Sequence, residues 1–302
     1  RRIVQKNAPR DYVEHLKRRM SVNLSGFKIA LDCANGACAQ IAPGLFSDLG
    51  AEVVAIGVEP DGVNINANCG STHLERLSQL VRRESCDLGI AFDGDADRML
   101  AVDDQGAVVD GDVIMAIIAK DMQTLGRLRK NTLVVTVMSN LGLDIMAAES
   151  DIHLVKTKVG DRYVLEEMLR GGFLIGGEQS GHIILLEEST TGDGMLSALR
   201  LLRALKHQGK RLSEARRVMT VLPQVLKNAR IPNDVKKEAM ADPDILDVIQ
   251  RLEGQLADRG RILVRASGTE PIIRVMIEGE NINLISRMAD QLTELIVSRY
   301  GI

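Results

Sequence analysis

Three carboxylates stand at alternate positions in Asp93-Gly94-Asp95-Ala96-Asp97, and Arg98 follows directly. Like charges this close repel unless a cation joins them. Gly94 and Ala96 leave an extended loop room to curl until the oxygens converge. Hard oxygen ligands with open coordination positions suit Mg²⁺, which keeps space for water or a phosphate oxygen. An EF-hand is excluded, because its sixth and twelfth positions would be Gly and Glu and here are Arg98 and Asp104. The plain alternative is a solvated acidic turn. The apolar run Leu88–Phe92 before the cluster and Arg98 after it argue against that. The pairs Gly111-Asp112 and Gly192-Asp193-Gly194 read instead as helix caps, with Asp112 capping a helix over Val113–Met122.

Three further loops carry polar chemistry. In Gly176-Gly177-Glu178-Gln179-Ser180-Gly181-His182, glycines bracket a carboxylate, an amide and a hydroxyl. Glu178 and Ser180, two apart on an extended turn, face one side and suit the hydroxyls of a sugar; a hairpin turn with incidental polar residues is the alternative. Arg265-Ala266-Ser267-Gly268-Thr269-Glu270-Pro271, followed by Arg274, sets two hydroxyls and backbone amides around one Gly between guanidinium groups. That composition makes a phosphate cradle. It is not a Walker A loop, since no Gly-Lys-Ser/Thr follows. Finally, Lys156-Thr157-Lys158-Val159-Gly160-Asp161-Arg162 delivers basic groups beside a helix start, a phosphate-side contact or simply a solvated charge cluster.

The elements that must position these loops alternate between strand and helix patterns, the mark of an α/β chain. Strands are expected at 27–32, 53–56, 88–92, 133–137 and 152–155. Helices are expected at 37–49, 74–83, 113–122, 143–148, 161–170, 193–206 and 213–219. A hairpin joins 173–176 to 182–186, and the last region reads β-α-β-β-α, with strands at 262–265 and 272–277. Its closing helix carries Leu284, Ile285, Met288, Leu292, Leu295 and Ile296 on one stripe. Turn signals divide the chain at 1–105, 106–220 and 221–302. This agrees with 302 residues at about 150 or fewer per domain.

Composition removes several functions. Net charge is −3, giving no bulk electrostatic case for nucleic acid or an anionic membrane. The longest apolar runs are a handful of residues, far short of the roughly 20 a membrane span needs. Cys33, Cys38, Cys69 and Cys86 have neither a CxxC pair nor zinc spacing, so they read as reduced thiols of a cytoplasmic protein. With no Trp and 2% aromatic residues, a ligand must be held by charges, hydroxyls and amides rather than stacked rings.

Taken together, a DGDxDR loop, a GEQSGH loop and an RxSGTEP loop in this order resemble the α-D-phosphohexomutase superfamily, along essentially all 302 residues. Val137–Leu143, Lys158–Val164 and Thr190–Gly194 are similar to its glucosamine-phosphate branch. The resemblance implies two related mixed α/β phosphohexomutase domains and a C-terminal α+β domain of the TATA-box-binding-protein type. It makes Asp93, Asp95 and Asp97 the Mg²⁺ ligands. Glu178 and Ser180 would contact sugar hydroxyls, with His182 as a supporting or proton-transfer group. Arg265, Ser267, Gly268 and Thr269 would hold the non-reacting phosphate, with Arg274 a weaker candidate. Arg98 and Lys158 would stabilise the transferring phosphoryl group. The family's metal loop often has Gly where Ala96 stands.

The implied reaction interconverts glucosamine 6-phosphate and glucosamine 1-phosphate through a phosphoserine enzyme and a 1,6-bisphosphate. Glucosamine 1,6-bisphosphate or glucose 1,6-bisphosphate would act as activator, and the product would feed UDP-N-acetylglucosamine and cell-wall precursor synthesis. Partners would be small sugar phosphates, with neither nucleic acid nor membrane and with room for a homodimer. One departure is large: no Ser-His-Asn-Pro-like phosphoserine loop occurs, Ser71-Thr72-His73 being the nearest string. Since the chain also begins Arg1-Arg2-Ile3 without Met, the expectation is a piece without the nucleophile domain, inactive alone. The alternatives are a phosphomannomutase or phosphoglucomutase of the same superfamily, a haloacid-dehalogenase-type phosphohydrolase using Asp93 as nucleophile, and a non-catalytic sugar-phosphate-binding module.

Overall fold

A computed structural model describes residues 7–301, so Arg1-Arg2-Ile3 lies outside the described residues. Two compact units emerge: 1–139 with 143–220, and 140–142 with 221–302. The regions expected at 1–105 and 106–220 fall together in the first unit and both contribute to one core.

The first unit runs α1 (Ala8–Met20), β1 (Lys28–Asp32), α2 (Ala42–Asp48), β2 (Glu52–Ile56), α3 (Glu75–Glu84), β3 (Leu88–Phe92), β4 (Met99–Asp103) and β5 (Val108–Val109). It continues with α4 (Gly111–Thr124), β6 (Thr132–Thr136), α5 (Leu141–Glu149), β7 (His153–Thr157), α6 (Asp161–Gly171), β8 (Ile175–Gly177), β9 (Ile183–Leu185), α7 (Gly194–Gln208) and α8 (Leu212–Ala215). One sheet has the order β2-β1-β3-β4-β5 and the other β7-β6-β8-β9. Each begins with three parallel strands and turns antiparallel at the fourth. The two sheets thus repeat one strand plan, the relatedness expected of the two α/β regions. The 93–98 loop joins β3 to β4, and the 178–182 loop joins β8 to β9. They occupy the same position in the two repeats.

Continuous burial explains the clearest strand. β3 lies between β1 and β4, all five of its residues are buried, and its sequence LGIAF is apolar throughout. Phe92 at its end is fully buried and fixes the chain one residue before Asp93. Truncating it to Ala would cost about 3–5 kcal/mol.

Three expectations need correction. The helix expected at 37–49 is only Ala42–Asp48: Pro43 has no N–H for a helical bond to an earlier carbonyl and so sits in the first turn, and 34–41 form turns. Asp112 does not cap α4. Asp110 does, from extended backbone (ψ 177°), its carboxylate accepting the Val113 N–H at 3.1 Å. That is the N3 position a cap reaches. The helix expected at 213–219 breaks after Ala215 into a short 3₁₀ turn. Asp193 does cap α7, accepting the Leu196 N–H at 3.0 Å. Among the described residues no helix is long and apolar enough to cross a membrane.

The second unit contains β10 (Gln224–Arg230), α9 (Lys236–Ala241), α10 (Pro243–Leu256), β11 (Gly260–Ala266), β12 (Ile272–Gly279) and α11 (Ile282–Tyr300). Its antiparallel sheet has the order β10-β12-β11, the expected β-α-β-β-α with α9 added. Ile285, Met288, Leu292 and Ile296 of α11 are buried in one core with Ile273, Val275 and Ile277 of β12. Arg265 pairs with Arg274 across β11 and β12, which puts both side chains on one face.

Candidate functional site

Within the first unit, Asp93, Asp95 and Asp97 bring one oxygen each to within 4.8 Å of the others. Ala96 makes this curl at a φ of 62°, in the left-handed region that favours Gly. Two neighbouring turns clamp the loop. The Ala37 N–H donates to the Gly94 carbonyl at 2.8 Å, and a side chain at Gly36 would stand 2.3 Å from that oxygen. The Gly194 N–H donates to the Ala96 carbonyl at 2.9 Å, and a Cβ there would meet the Arg98 carbonyl at 2.6 Å.

Asp93 is 2% exposed. Its Oδ1 accepts the Arg98 backbone N–H at 3.1 Å. Its Oδ2 is ion-paired with the Arg98 guanidinium, Nε standing 2.7 Å away. Three converging carboxylates against one guanidinium leave excess negative charge, which a hard cation would offset. The three carboxylates therefore fit Mg²⁺. Burial alone would lower the Arg98 guanidinium, but Asp93 and Asp97 outweigh it and hold it above the usual arginine range. Arg98 Nε also lies 3.4 Å from Asp97 Oδ1.

The second loop packs directly against the first. Arg98 and His182 form an antiparallel bridge, and the Met99 N–H donates to the Gly181 carbonyl at 3.1 Å. Glu178 Oε1 accepts the Gly160 N–H at 2.9 Å, tying in the loop that carries Lys158. Gln179 donates to Asp110 Oδ2 at 3.2 Å while its carbonyl accepts the Gly111 N–H at 3.0 Å, so the start of α4 seats the turn. Burial pushes the Asp110 carboxyl up. Ser180 is exposed at the tip.

Both ring nitrogens of His182 have partners. Its Nε2 accepts the Gly192 N–H at 3.1 Å, so Nδ1 carries the hydrogen that faces Asp97 Oδ2 at 3.1 Å. The ring is 4% exposed and lies between the Gly192 amide and the Asp97 carboxylate. Of the basic loop, Lys156 pairs with Asp144 and Arg162 with Glu166. Lys158 is exposed, and its Nζ stands 5.8 Å from the centre of the Tyr163 ring, within reach of a cation–π contact.

In the second unit, the 267–271 turn joins β11 to β12. The Ser267 N–H donates to the Ile272 carbonyl at 3.0 Å, and Ser267 Oγ accepts the Glu270 N–H at 3.1 Å. Gly268 and Thr269 are exposed at its crest, and a Cβ at Gly268 would meet open space. Arg265 has no hydrogen bond or ion pair among the described residues. Burial first and the Arg274 charge second lower its guanidinium from the usual arginine range. Two neighbouring cations, one without a counter-ion, are arranged for an anion. Arg274 is tied to Glu270 at 2.5 Å.

Sequence reasoning missed three supports. Lys236, 7% exposed, donates to the carbonyls of Ser267 (2.7 Å) and Glu270 (2.5 Å) and fixes the turn from behind. Asp110 seats Gln179 from 69 positions away. Tyr12 donates to the Asp193 carboxylate at 2.8 Å across 181 positions. No local spacing signals any of these pairs.

Known proteins resemble this chain in sequence and fold. Residues 10–106 match the family model for phosphoglucomutase/phosphomannomutase α/β/α domain II, residues 110–222 that for domain III and residues 226–295 that for the C-terminal domain. The chain is 55% identical over 287 residues to a phosphoglucosamine mutase of Caldanaerobacter subterraneus subsp. tengcongensis, covering 95% of this chain and 64% of that protein. It is equally identical over 291 residues to that of Acetivibrio thermocellus, covering 96% and 65%. The chain thus spans about two thirds of the length of these curated relatives. Among solved structures, the Aspergillus fumigatus N-acetylphosphoglucosamine mutase in complex with GlcNAc-6P and magnesium shares the fold, with a TM-score of 0.77 at 21% identity, covering 95% of this chain and 70% of that one.

Proposed function

The chain belongs to the phosphoglucomutase/phosphomannomutase family, and from that premise we propose that it works in a phosphoglucosamine mutase. The reaction would interconvert glucosamine 6-phosphate and glucosamine 1-phosphate, with glucose 1,6-bisphosphate or its glucosamine counterpart as activator. The observation that best supports this reading is the convergence of Asp93, Asp95 and Asp97 against the Glu178–His182 loop. Three divisions, 1–105, 106–220 and 221–302, would carry the metal loop, the sugar loop and the phosphate loop.

Asp93, Asp95 and Asp97 would hold Mg²⁺, which when bound offsets charge on a transferring phosphoryl group. Arg98, anchored through Nε, would turn its outer guanidinium nitrogens toward the same phosphoryl oxygens, and Lys158 would add a second cation. Glu178, with one oxygen on Gly160, and Ser180 at the turn tip would orient sugar hydroxyls. His182 would keep Asp97 aligned. Arg265, Ser267, Gly268, Thr269 and, after release from Glu270, Arg274 would grip the phosphate that is not transferred. Small sugar phosphates are the expected partners, with a homodimer open to formation. The unbridged thiols fit a cytoplasmic setting.

A mutase must store the phosphoryl group covalently between half-reactions. The 302 residues hold no Ser-His-Asn-Pro loop to do so. The 302-residue chain, assayed with Mg²⁺ and glucose 1,6-bisphosphate, is therefore expected to bind glucosamine 1-phosphate without interconverting it. Robust turnover by this chain alone would refute that reading and make Asp93 the first nucleophile to test. Failure to bind the sugar phosphate at all would refute the functional assignment itself.

A further inference from the structure

Helix α1 contributes no residue to the four loops, yet Tyr12 reaches from it to the capping residue of α7. The Tyr12 hydroxyl lies 2.8 Å from both carboxylate oxygens of Asp193. Burial, then the Asp193 charge, push the phenol well above its ordinary value, so it remains a donor. Asp193 in turn accepts the Leu196 N–H at 3.0 Å and starts α7. The residues on either side of Asp193 both act on the metal loop. The Gly192 N–H, donated to His182 Nε2 at 3.1 Å, sets the ring tautomer that presents Nδ1–H to Asp97. The Gly194 N–H, donated to the Ala96 carbonyl at 2.9 Å, holds the left-handed residue between Asp95 and Asp97. Two short branches thus leave one carboxylate and close on the same three-residue segment.

We infer that Tyr12 is a positioning residue for the metal loop, acting through Asp193 to fix Asp97 by way of His182 and Ala96 by way of Gly194. The inference rests on Asp93, Asp95 and Asp97 being a divalent-cation site. Without the Tyr12 hydroxyl the Asp193 carboxylate keeps its cap bond and loses the donor that fixes its rotation. The 192–194 turn then gains freedom, and so does the Asp97 carboxylate. Partners one step beyond the ligands typically change metal affinity by about 10- to 100-fold. Tyr12 stands one step further out, and its removal is expected to weaken binding by about 3- to 10-fold.

The test titrates Mn²⁺ into the 302-residue chain by electron paramagnetic resonance, well below the melting temperature, for wild type, Asp95→Asn, Tyr12→Phe and Leu16→Val. Leu16 is buried on the same helix and touches none of the chain of bonds, so Leu16→Val controls for loss of stability. Weaker binding in Tyr12→Phe, with Leu16→Val like wild type, is the expected result. Long-range ¹H–¹⁵N correlations of the His182 ring, assigned through its loss in His182→Gln, supply a second readout. Wild type should show hydrogen on Nδ1, and Tyr12→Phe should show a mixture of tautomers. Unchanged Mn²⁺ affinity and an unchanged ring in Tyr12→Phe would overturn the inference while leaving the metal reading intact. Equal affinity in wild type and Asp95→Asn would instead overturn the metal reading, and the ring signature would then decide the inference alone.

Discussion

Replacing Arg265 by Met removes a guanidinium that no carboxylate among the described residues neutralises. It is half-buried on β11, faces Arg274 across the sheet, and has no carboxylate of its own among the described residues. Before any ligand arrives, that charge contributes desolvation and repulsion but no ion pair. Met of similar length keeps the packing of the stem. The ligand-free variant should therefore unfold at the same temperature as wild type or higher. Binding should behave in the opposite way. A hydrogen bond to a charged group contributes about 1.5–3 kcal/mol, and about 1.4 kcal/mol is tenfold in affinity. Glucosamine 1-phosphate, measured by isothermal titration, should bind about 10- to 150-fold more weakly.

Arg274 makes the comparison. It must release Glu270 to serve a phosphate, so Arg274→Met should cost less than Arg265→Met. An exposed pair of this kind is itself worth only about 0.2–1 kcal/mol. Glu270→Gln should therefore leave stability almost unchanged while raising phosphate affinity, because it frees a cation and removes an anion. Affinity unchanged within twofold in Arg265→Met would remove the cradle from the reasoning. So would an equal drop in melting temperature with and without ligand, which would mark Arg265 as a structural residue.

Two other perturbations read the supports of the loops. Lys236→Met removes two bonds from a charged donor to the Ser267 and Glu270 carbonyls; it should destabilise the second unit by about 1.5–3 kcal/mol in urea and weaken phosphate binding. An unchanged urea midpoint would show that the turn stands without it. Asp110 has a folded-state pKa raised by burial, so its contribution to stability is greatest when it is protonated and is lost as pH rises through that value. Asp110→Asn keeps an acceptor for the Val113 N–H without the charge. Its melting temperature should match wild type near pH 3 and exceed it at about pH 7; the opposite trend would show that the charged cap outweighs its burial.

What the sequence made legible follows from how each element is stabilised. β3 was readable because all five residues are buried, and α11 because its stripe faces a sheet. α1 escaped notice because only Leu16 and Met20 of its thirteen residues are buried, leaving no apolar period above the charges. β4 was hidden behind the charged loop it follows. At the site, the clustering of the three aspartates was legible because their alternate spacing in one short loop is a local feature. The tautomer of His182 was not, since it is set by Gly192, ten positions on. Ala96 stands where the family's metal loop often has Gly. Its φ of 62° supplies a physical reason for Gly at the corresponding family position.

The duplicated strand plan accounts for how one unit holds both the 93–98 loop and the 178–182 loop. In each sheet the chain leaves the third strand and returns antiparallel as the fourth, and the reversal forces a tight, polar loop at that strand end. One copy of the loop became acidic, as Asp93–Asp97. The other became Glu178–His182. Because they are equivalent positions, the two loops could meet as Arg98 meets His182, strand end against strand end. A repeat this long, with loops so different in composition, leaves no short period in the sequence. It becomes visible only as a matching order of strands.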